Sequence, residues 1–168
     1  MGVEPVISNN ERCCGHDALW SGDEATFKEL AKRNLEVIES SGAKTVLFGC
    51  PEGYFTFKNH YPKYLGALPF DVLHITEFLS RELPDSGLSY KPNSDGVITY
   101  HDPCRLGRLA GIYDAPRKLI KAIPGLEMTE MPRSRENSVC CGTTGWMNCS
   151  SCSKEIQMQR LSGAKDTG

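Results

Sequence analysis

No apolar run in the chain approaches the length of a membrane span, and the opening residues Met1-Gly2-Val3-Glu4-Pro5 lack the regions of a signal peptide. Together these absences predict a cytoplasmic protein, free or attached to a membrane complex. Neither sign of charge dominates: 19 Lys and Arg stand against 21 Asp and Glu, a net charge of −2. That balance argues against nucleic acid or an anionic membrane surface as the main partner. A ferredoxin-type cysteine run is also missing. A chain of 168 residues is long enough for one compact domain or two packed half-domains with a real core.

What the chain does have is cysteine, eight in all, four of them in the adjacent pairs Cys13-Cys14 and Cys140-Cys141. In a reducing compartment such residues stay as thiols, so metal ligation or thiolate chemistry is expected before a disulfide framework. Burial as small apolar residues would suit one or two of them, but not their pairing and clustering. Adjacent cysteines cannot easily serve one tetrahedral iron, but they can reach different irons of a larger cluster. Gly15 and Gly142 follow the two pairs and allow close backbone approach to sulfur.

Ser21-Gly22-Asp23 begins a helix whose stripe is Phe27, Leu30, Ala31, Leu35 and Ile38, stopped at Ser41-Gly42. Thr45 to Gly49 reads as a buried strand delivering Cys50 at its C-terminal end. Phe55, Phe57, Tyr61 and Tyr64 offer either a substrate wall or core, and aromatics at helical spacing are more often core. Val72 to Ile75 is a short strand, with His74 a structural residue, and a helix begins at Thr76. Pro84 to Gly96 is linker-like. A strand from Val97 to Tyr100 then leads to His101-Asp102-Pro103-Cys104, Ala115 to Ile123 is helical, Leu126 to Met131 extended, and Ser153 to Leu161 a last helix. Strand alternating with helix predicts an α/β fold of two pseudo-repeated halves with a mainly parallel sheet and cysteine loops at strand C-terminal ends.

The repeat is visible in the spacing. Thirty-five residues separate Cys14 from Cys50, and thirty-five separate Cys104 from Cys140; aligning the double cysteines gives an offset of 127 that also brings Trp20 and Trp146 to within one position. Residues 1–90 are expected to form a first half-repeat, incomplete at its N-terminus, and residues 91–168 a second, incomplete at its C-terminus. Gly163-Ala164-Lys165 echoes Gly42-Ala43-Lys44 before the Cys50 strand, as in a window cut from a longer protein.

Cys13-Cys14-Gly15 with Leu19-Trp20-Ser21-Gly22-Asp23, His101-Asp102-Pro103-Cys104-Arg105-Leu106-Gly107-Arg108, and Cys140-Cys141-Gly142 with Trp146-Met147-Asn148-Cys149 resemble the cysteine-rich CCG domain. The tryptophans tilt the resemblance towards the branch of the D-type heterodisulfide reductase subunits, including the iron–sulfur subunits of sulfite-reductase-associated membrane complexes. It implies a non-cubane four-iron four-sulfur cluster at which a disulfide is reductively cleaved, with Cys104, Cys140 and Cys141 matching ligands of one motif and Cys13, Cys14 and Cys50 those of the other. Gly53 stands where the family's closing Cys-x-x-Cys would put its second cysteine. Partners would be other redox subunits or ferredoxin-type clusters and a disulfide, small or protein-borne.

Among the neighbours, Arg105 and Arg108 would either stabilise a thiolate or pair with surface carboxylates. His101 is a candidate catalytic proton donor, because reducing a disulfide with two electrons takes two protons; alternatively Asp102 caps the helix after Pro103. Cys149 and Cys152 form a Cys-x-x-Cys suited to zinc or a redox dithiol. The rival readings are a zinc-binding structural module holding one ion by Cys104, Cys140, Cys141 and a fourth thiolate, and a fragment without a full ligand set, inactive alone.

Overall fold

The computed structural model describes residues 2–88, 90, 96–142 and 150–167, the side chains of residues 150–152 excepted. The chain divides into two compact units, Met1–Ser86 and Gly87–Gly168.

The first unit opens with α1 (His16–Trp20) and α2 (Glu24–Ser41). Asp23 caps α2 by accepting from the Thr26 amide at 3.0 Å, and Gly42 closes it in the left-handed region, φ 72°, so both ends form where cap chemistry dictates. Its buried face is Phe27, Ala31 and Asn34. The expected stripe is present at its first members, but a polar residue occupies the next buried turn. Strand β1 (Thr45–Phe48) lies parallel to β2 (Asp71–His74), with Thr45 opposite Asp71 and Phe48 opposite His74. A parallel pair needs a crossover. Here it is α3 (Pro51–Phe55), a π-helical turn Thr56–His60 and α4 (Tyr61–Leu65).

This crossover supplies the core. Phe57 and Tyr61 pack with ring centroids 3.9 Å apart, Phe48 lies 4.7 Å from Phe57, and Phe27 meets Tyr61 at 5.8 Å and Tyr64 at 5.0 Å. Phe57 and Tyr61 are therefore core, while Phe55 and Tyr64 are half-buried at its edge. Strand β1, expected to be buried, alternates exposed and half-buried residues, and Leu47 is 38% exposed; a two-stranded sheet covered on one face leaves the other to water. His74 is structural: it heads α5 (Ile75–Glu82), its Nδ1 within hydrogen-bond distance of both Thr76 Oγ1 and the Thr76 amide, while its own amide donates to Glu77. Burial holds its pKa below the usual imidazole range.

The second unit repeats the plan. Strand β3 (Gly96–Ile98) runs parallel to β4 (Leu126–Met128), joined through a π-helical turn Arg105–Leu109 and α6 (Asp114–Lys121). A 3₁₀ turn Arg135–Asn137 precedes the double cysteine, and α7 (Ser150–Lys165) follows it. Both units thus carry a strand, a cysteine, a helix containing a π turn or preceded by one, and a parallel strand. Each also has a double cysteine followed by a long helix, α2 or α7. The order is permuted: the first unit begins with the double cysteine and the second ends with it. The fold is α/β, in two pseudo-repeated halves with parallel strand pairs and cysteines beyond strand C-termini. Among the described residues, no helix is long and apolar enough to cross a membrane.

Candidate functional site

In the first unit, Cys13 and Cys50 are exposed and Cys14 is half-buried, all as thiols outside any disulfide. Burial is the main reason that the Cys14 thiol is pushed up to about 11, with the nearby Cys13 and Cys50 adding to the shift and the His16 amide opposing it. The pair is held by its main chain. Asn34, 3% exposed, accepts from the Arg12 amide at 2.8 Å and donates to the Cys13 carbonyl at 3.0 Å and to Tyr61 Oη at 3.1 Å. Tyr61 Oη in turn donates to the Cys14 carbonyl at 3.2 Å. Residues from α2 and α4 therefore clamp the two peptides that bear the thiols. At Gly15, φ is 80° and a Cβ would stand 2.8 Å from the Phe27 ring, so glycine is required both for backbone shape and for space. His16 is buried against Trp20, ring centroids 5.0 Å apart, and its Nε2 lies 3.7 Å from Glu52, two residues beyond Cys50. That contact ties the double-cysteine segment to the Cys50 segment.

In the second unit, Cys104 and Cys141 are half-buried and Cys140 is exposed, again as thiols. The segment carrying Cys104 is bound to the one carrying Cys140. His101 Nε2 lies 2.8 Å from the Val139 carbonyl, which only accepts, so this nitrogen carries the proton. Ser138 Oγ donates to the Asp102 carbonyl at 2.8 Å, and Arg108 donates to the carbonyls of Ser138 at 2.7 Å and Glu136 at 3.2 Å. Among the described residues, Arg108 thus meets main-chain oxygens and neither a thiolate nor a surface carboxylate. The Gly142 amide donates to Cys140 Sγ at 3.4 Å, and a Cβ at Gly142, where φ is 72°, would stand 2.7 Å from the Ser153 carbonyl.

Asp102 does not cap a helix. It is 1% exposed, and Arg117, 4% exposed, faces it with two hydrogen bonds at 2.6 and 2.7 Å. Arg117 also makes two to Glu130, at 2.5 and 2.8 Å, and one to the Tyr113 carbonyl at 2.8 Å. Asp102 further accepts from the Arg135 amide at 2.7 Å. Burial alone would raise the Asp102 carboxyl, but the Arg117 guanidinium and the Arg135 amide outweigh it and hold the group below the usual carboxylate range.

The donor chemistry fits a thiolate-held iron–sulfur group: each unit carries three described thiols, a glycine at a cramped, positive-φ position directly follows each double cysteine, and one sulfur already accepts an amide N–H of the kind that tunes such groups. Among the described residues, no three His, Cys, Asp or Glu side chains close around one ion. Cys149 lies outside the described residues, as does the side chain of Cys152. Sequence reasoning missed Asn34, Tyr61 and Arg117 as residues acting on the cysteine segments. Asn34 had a signal, a polar residue where the helix period demands an apolar one.

Cysteines beyond parallel strands and a double cysteine before a long helix, repeated in two permuted halves, define a cysteine-rich redox or metal-binding class. The cysteine-rich domain family designated CCG matches residues 1–58 and 98–168, and the chain belongs to it. It is 39% identical over 150 residues to the D-type subunit of the dihydromethanophenazine:CoB–CoM heterodisulfide reductase of Methanosarcina acetivorans, covering 86% of this chain and 37% of the relative. A "Probable iron-sulfur-binding oxidoreductase FadF" of Bacillus subtilis is 37% identical over 84% of this chain and 20% of its own length. The "EtfAB:quinone oxidoreductase" of Syntrophomonas wolfei is 34% identical over 95% of this chain and 22% of its own length. The chain therefore spans between about a fifth and about two fifths of these curated relatives. No solved structure matches it. One of these relatives is named as a probable iron–sulfur-binding oxidoreductase and another as a heterodisulfide reductase subunit, and an iron–sulfur cofactor is the one that these relatives and the donor set support.

Proposed function

We propose that the chain is the iron–sulfur disulfide-reducing module of a larger redox complex, cytoplasmic, free or attached to a membrane assembly. Cys104, Cys140 and Cys141 hold a non-cubane four-iron four-sulfur cluster, and Cys13, Cys14 and Cys50 form the corresponding half-site. Residues 1–90 and 91–168 are the two half-repeats. Bound there, a cluster supplies electrons one at a time beside a disulfide. Two electrons from partner redox subunits and two protons convert that disulfide to two thiols, the S–S bond breaking and each sulfur taking one proton. His101, whose Nε2 meets the Val139 carbonyl beside the double cysteine, is the candidate to pass one proton. The disulfide is a small-molecule heterodisulfide, the class named for the Methanosarcina relatives, or a partner protein's cystine. Cys149 and Cys152 are either an accessory thiol pair or incidental cysteines at the start of a helix.

The observation that supports this reading best is the joining of the Cys104 and Cys140 segments through His101, Asp102, Arg108 and Ser138. Such joining suits donors spread over several irons. Anaerobic purification with metal and sulfide analysis and electron paramagnetic resonance tests the proposal. Iron and sulfide in comparable amounts, with a signal that disappears in Cys140→Ser and Cys141→Ser, are expected. Stoichiometric zinc with no signal in any oxidation state would overturn it.

A further inference from the structure

The Arg117 cluster asks for an explanation that stability does not provide. A buried ion pair is poor at stabilising a fold, because desolvating the charges offsets most of their attraction, and an apolar group of the same shape commonly serves as well. What it does provide is geometry. A guanidinium has five N–H donors in a rigid plane, and here all five are used: Nε to Glu130, Nη1 to Asp102 and the Tyr113 carbonyl, Nη2 to Asp102 and Glu130. Its face lies 5.2 Å from the Tyr100 ring centre. It therefore has no alternative orientation that keeps its partners.

The residue it fixes is the link between the two cysteine segments. Asp102 stands two positions before Cys104. Its carboxylate accepts from the Arg135 amide and its carbonyl accepts from Ser138 Oγ, two positions before Cys140. Arg135 is the one described non-glycine residue in the left-handed region, φ 54°. Such a conformation persists only where surrounding contacts hold it. Here these are the amide bond to Asp102 and a guanidinium bond to Asp114 at 2.7 Å. One buried carboxylate thus sets where both segments leave the fold.

We propose that Arg117 is a positioning residue for the second-unit cysteine site, fixing through Asp102 the spacing between Cys104 and the Cys140-Cys141 pair. This rests on the reading of those three cysteines as one site. Arg117 touches none of the thiols in this role; it acts through Asp102, Arg135 and Ser138. Lysine cannot replace it, because a point charge with three donors cannot hold two carboxylates and a carbonyl in one plane.

The test uses the full chain, as parent, Arg117→Lys and Glu130→Gln. Glu130→Gln removes only the outer, 42% exposed carboxylate and serves as the milder variant should Arg117→Lys fail to fold. In the metal-free chain, amide hydrogen exchange at Arg135 and at 138–141 is expected to quicken roughly tenfold in Arg117→Lys and less in Glu130→Gln, for loss of about one charge-assisted bond. After anaerobic reconstitution with iron(II) and sulfide, the paramagnetic g-values are expected to shift or split into several species in the variants. Parent protein in enough urea to match their unfolded fraction is expected to keep its own g-values. Parental exchange and g-values in both variants would overturn the proposal, as would a urea-treated parent that reproduces the variant spectra. A parent that takes up no iron overturns the cluster reading instead, and the exchange result then decides the clamp by itself.

Discussion

Replacing Asn34 with leucine removes the hydrogen bonds that hold the first double cysteine while keeping the branched heavy-atom skeleton, so the buried place on α2 stays filled. Three bonds disappear: from the Arg12 amide, to the Cys13 carbonyl and to Tyr61 Oη. Each is worth about 1 kcal/mol net, and with position 34 only 3% exposed little water can take the side chain's place, so the sum is about 3 kcal/mol. By the usual conversion of about 1.4 kcal/mol per factor of ten, this corresponds to roughly a hundredfold faster native-state hydrogen exchange in the α2 amides that open only with the whole unit. Exchange on the metal-free full chain reads the first unit separately from the second. Labelling of Cys13 by a neutral maleimide should quicken in parallel, because its peptide loses the carbonyl anchor. Acceleration below about threefold in α2 would mean that packing of Phe27 and Ala31, and not the amide, holds this segment, and the reasoning would fail.

Cys14 carries a pH prediction. Its folded pKa is raised from 9.0 to about 11, chiefly by burial, so the fold favours the neutral thiol: the stability from this group is complete below pH 9 and is lost as pH rises through about 11. In the metal-free chain, iodoacetamide profiles resolved by mass spectrometry should give Cys14 a midpoint near 11; a midpoint at or below 9 refutes the burial argument. Gly142→Ala should destabilise the second unit by more than Gly22→Ala does the first. Both residues have positive φ, worth about 1–2 kcal/mol against alanine, but only at Gly142 would the new methyl meet backbone, the Ser153 carbonyl at 2.7 Å. Urea titration with hydrogen exchange compares the two, and equal losses would show that the α7 contact yields freely.

Much of the architecture is written locally. Asp23 and Gly42 bound α2 because caps act through their own neighbours, and Cys50 and Cys104 stand just beyond strands because turn residues end those strands in sequence. Spacing alone exposed the duplication, and the order of elements agrees with it: the double cysteine and long helix recur as Cys13-Cys14 with α2 and Cys140-Cys141 with α7. The strand–cysteine–helix–strand part recurs as well, around Cys50 and Cys104.

Burial of polar groups was not legible in the same way. His101-Asp102-Pro103 reads first as a helix cap and second as a proton site, and what takes the Asp102 carboxylate from the cap is Arg117, fifteen positions away. Arg108 had carboxylates and thiolates as plausible partners, and the main-chain oxygens of Glu136 and Ser138 took it instead. Exposure of β1 followed from the sheet having only two strands, a property of no single residue.

By itself, the sequence determined which atoms are candidates for the chemistry: the thiols, their pairing, the glycines after them and the family to which the chain belongs. Those features are local composition and spacing, and survive in an unfolded chain. Only the tertiary structure decided what holds the thiols in place, because Asn34 reaches Cys13 and Arg117 reaches Asp102 across intervals that no helical or strand period encodes. A buried polar side chain keeps its place by satisfying its hydrogen bonds, and its partners exist as neighbours only once the chain has folded.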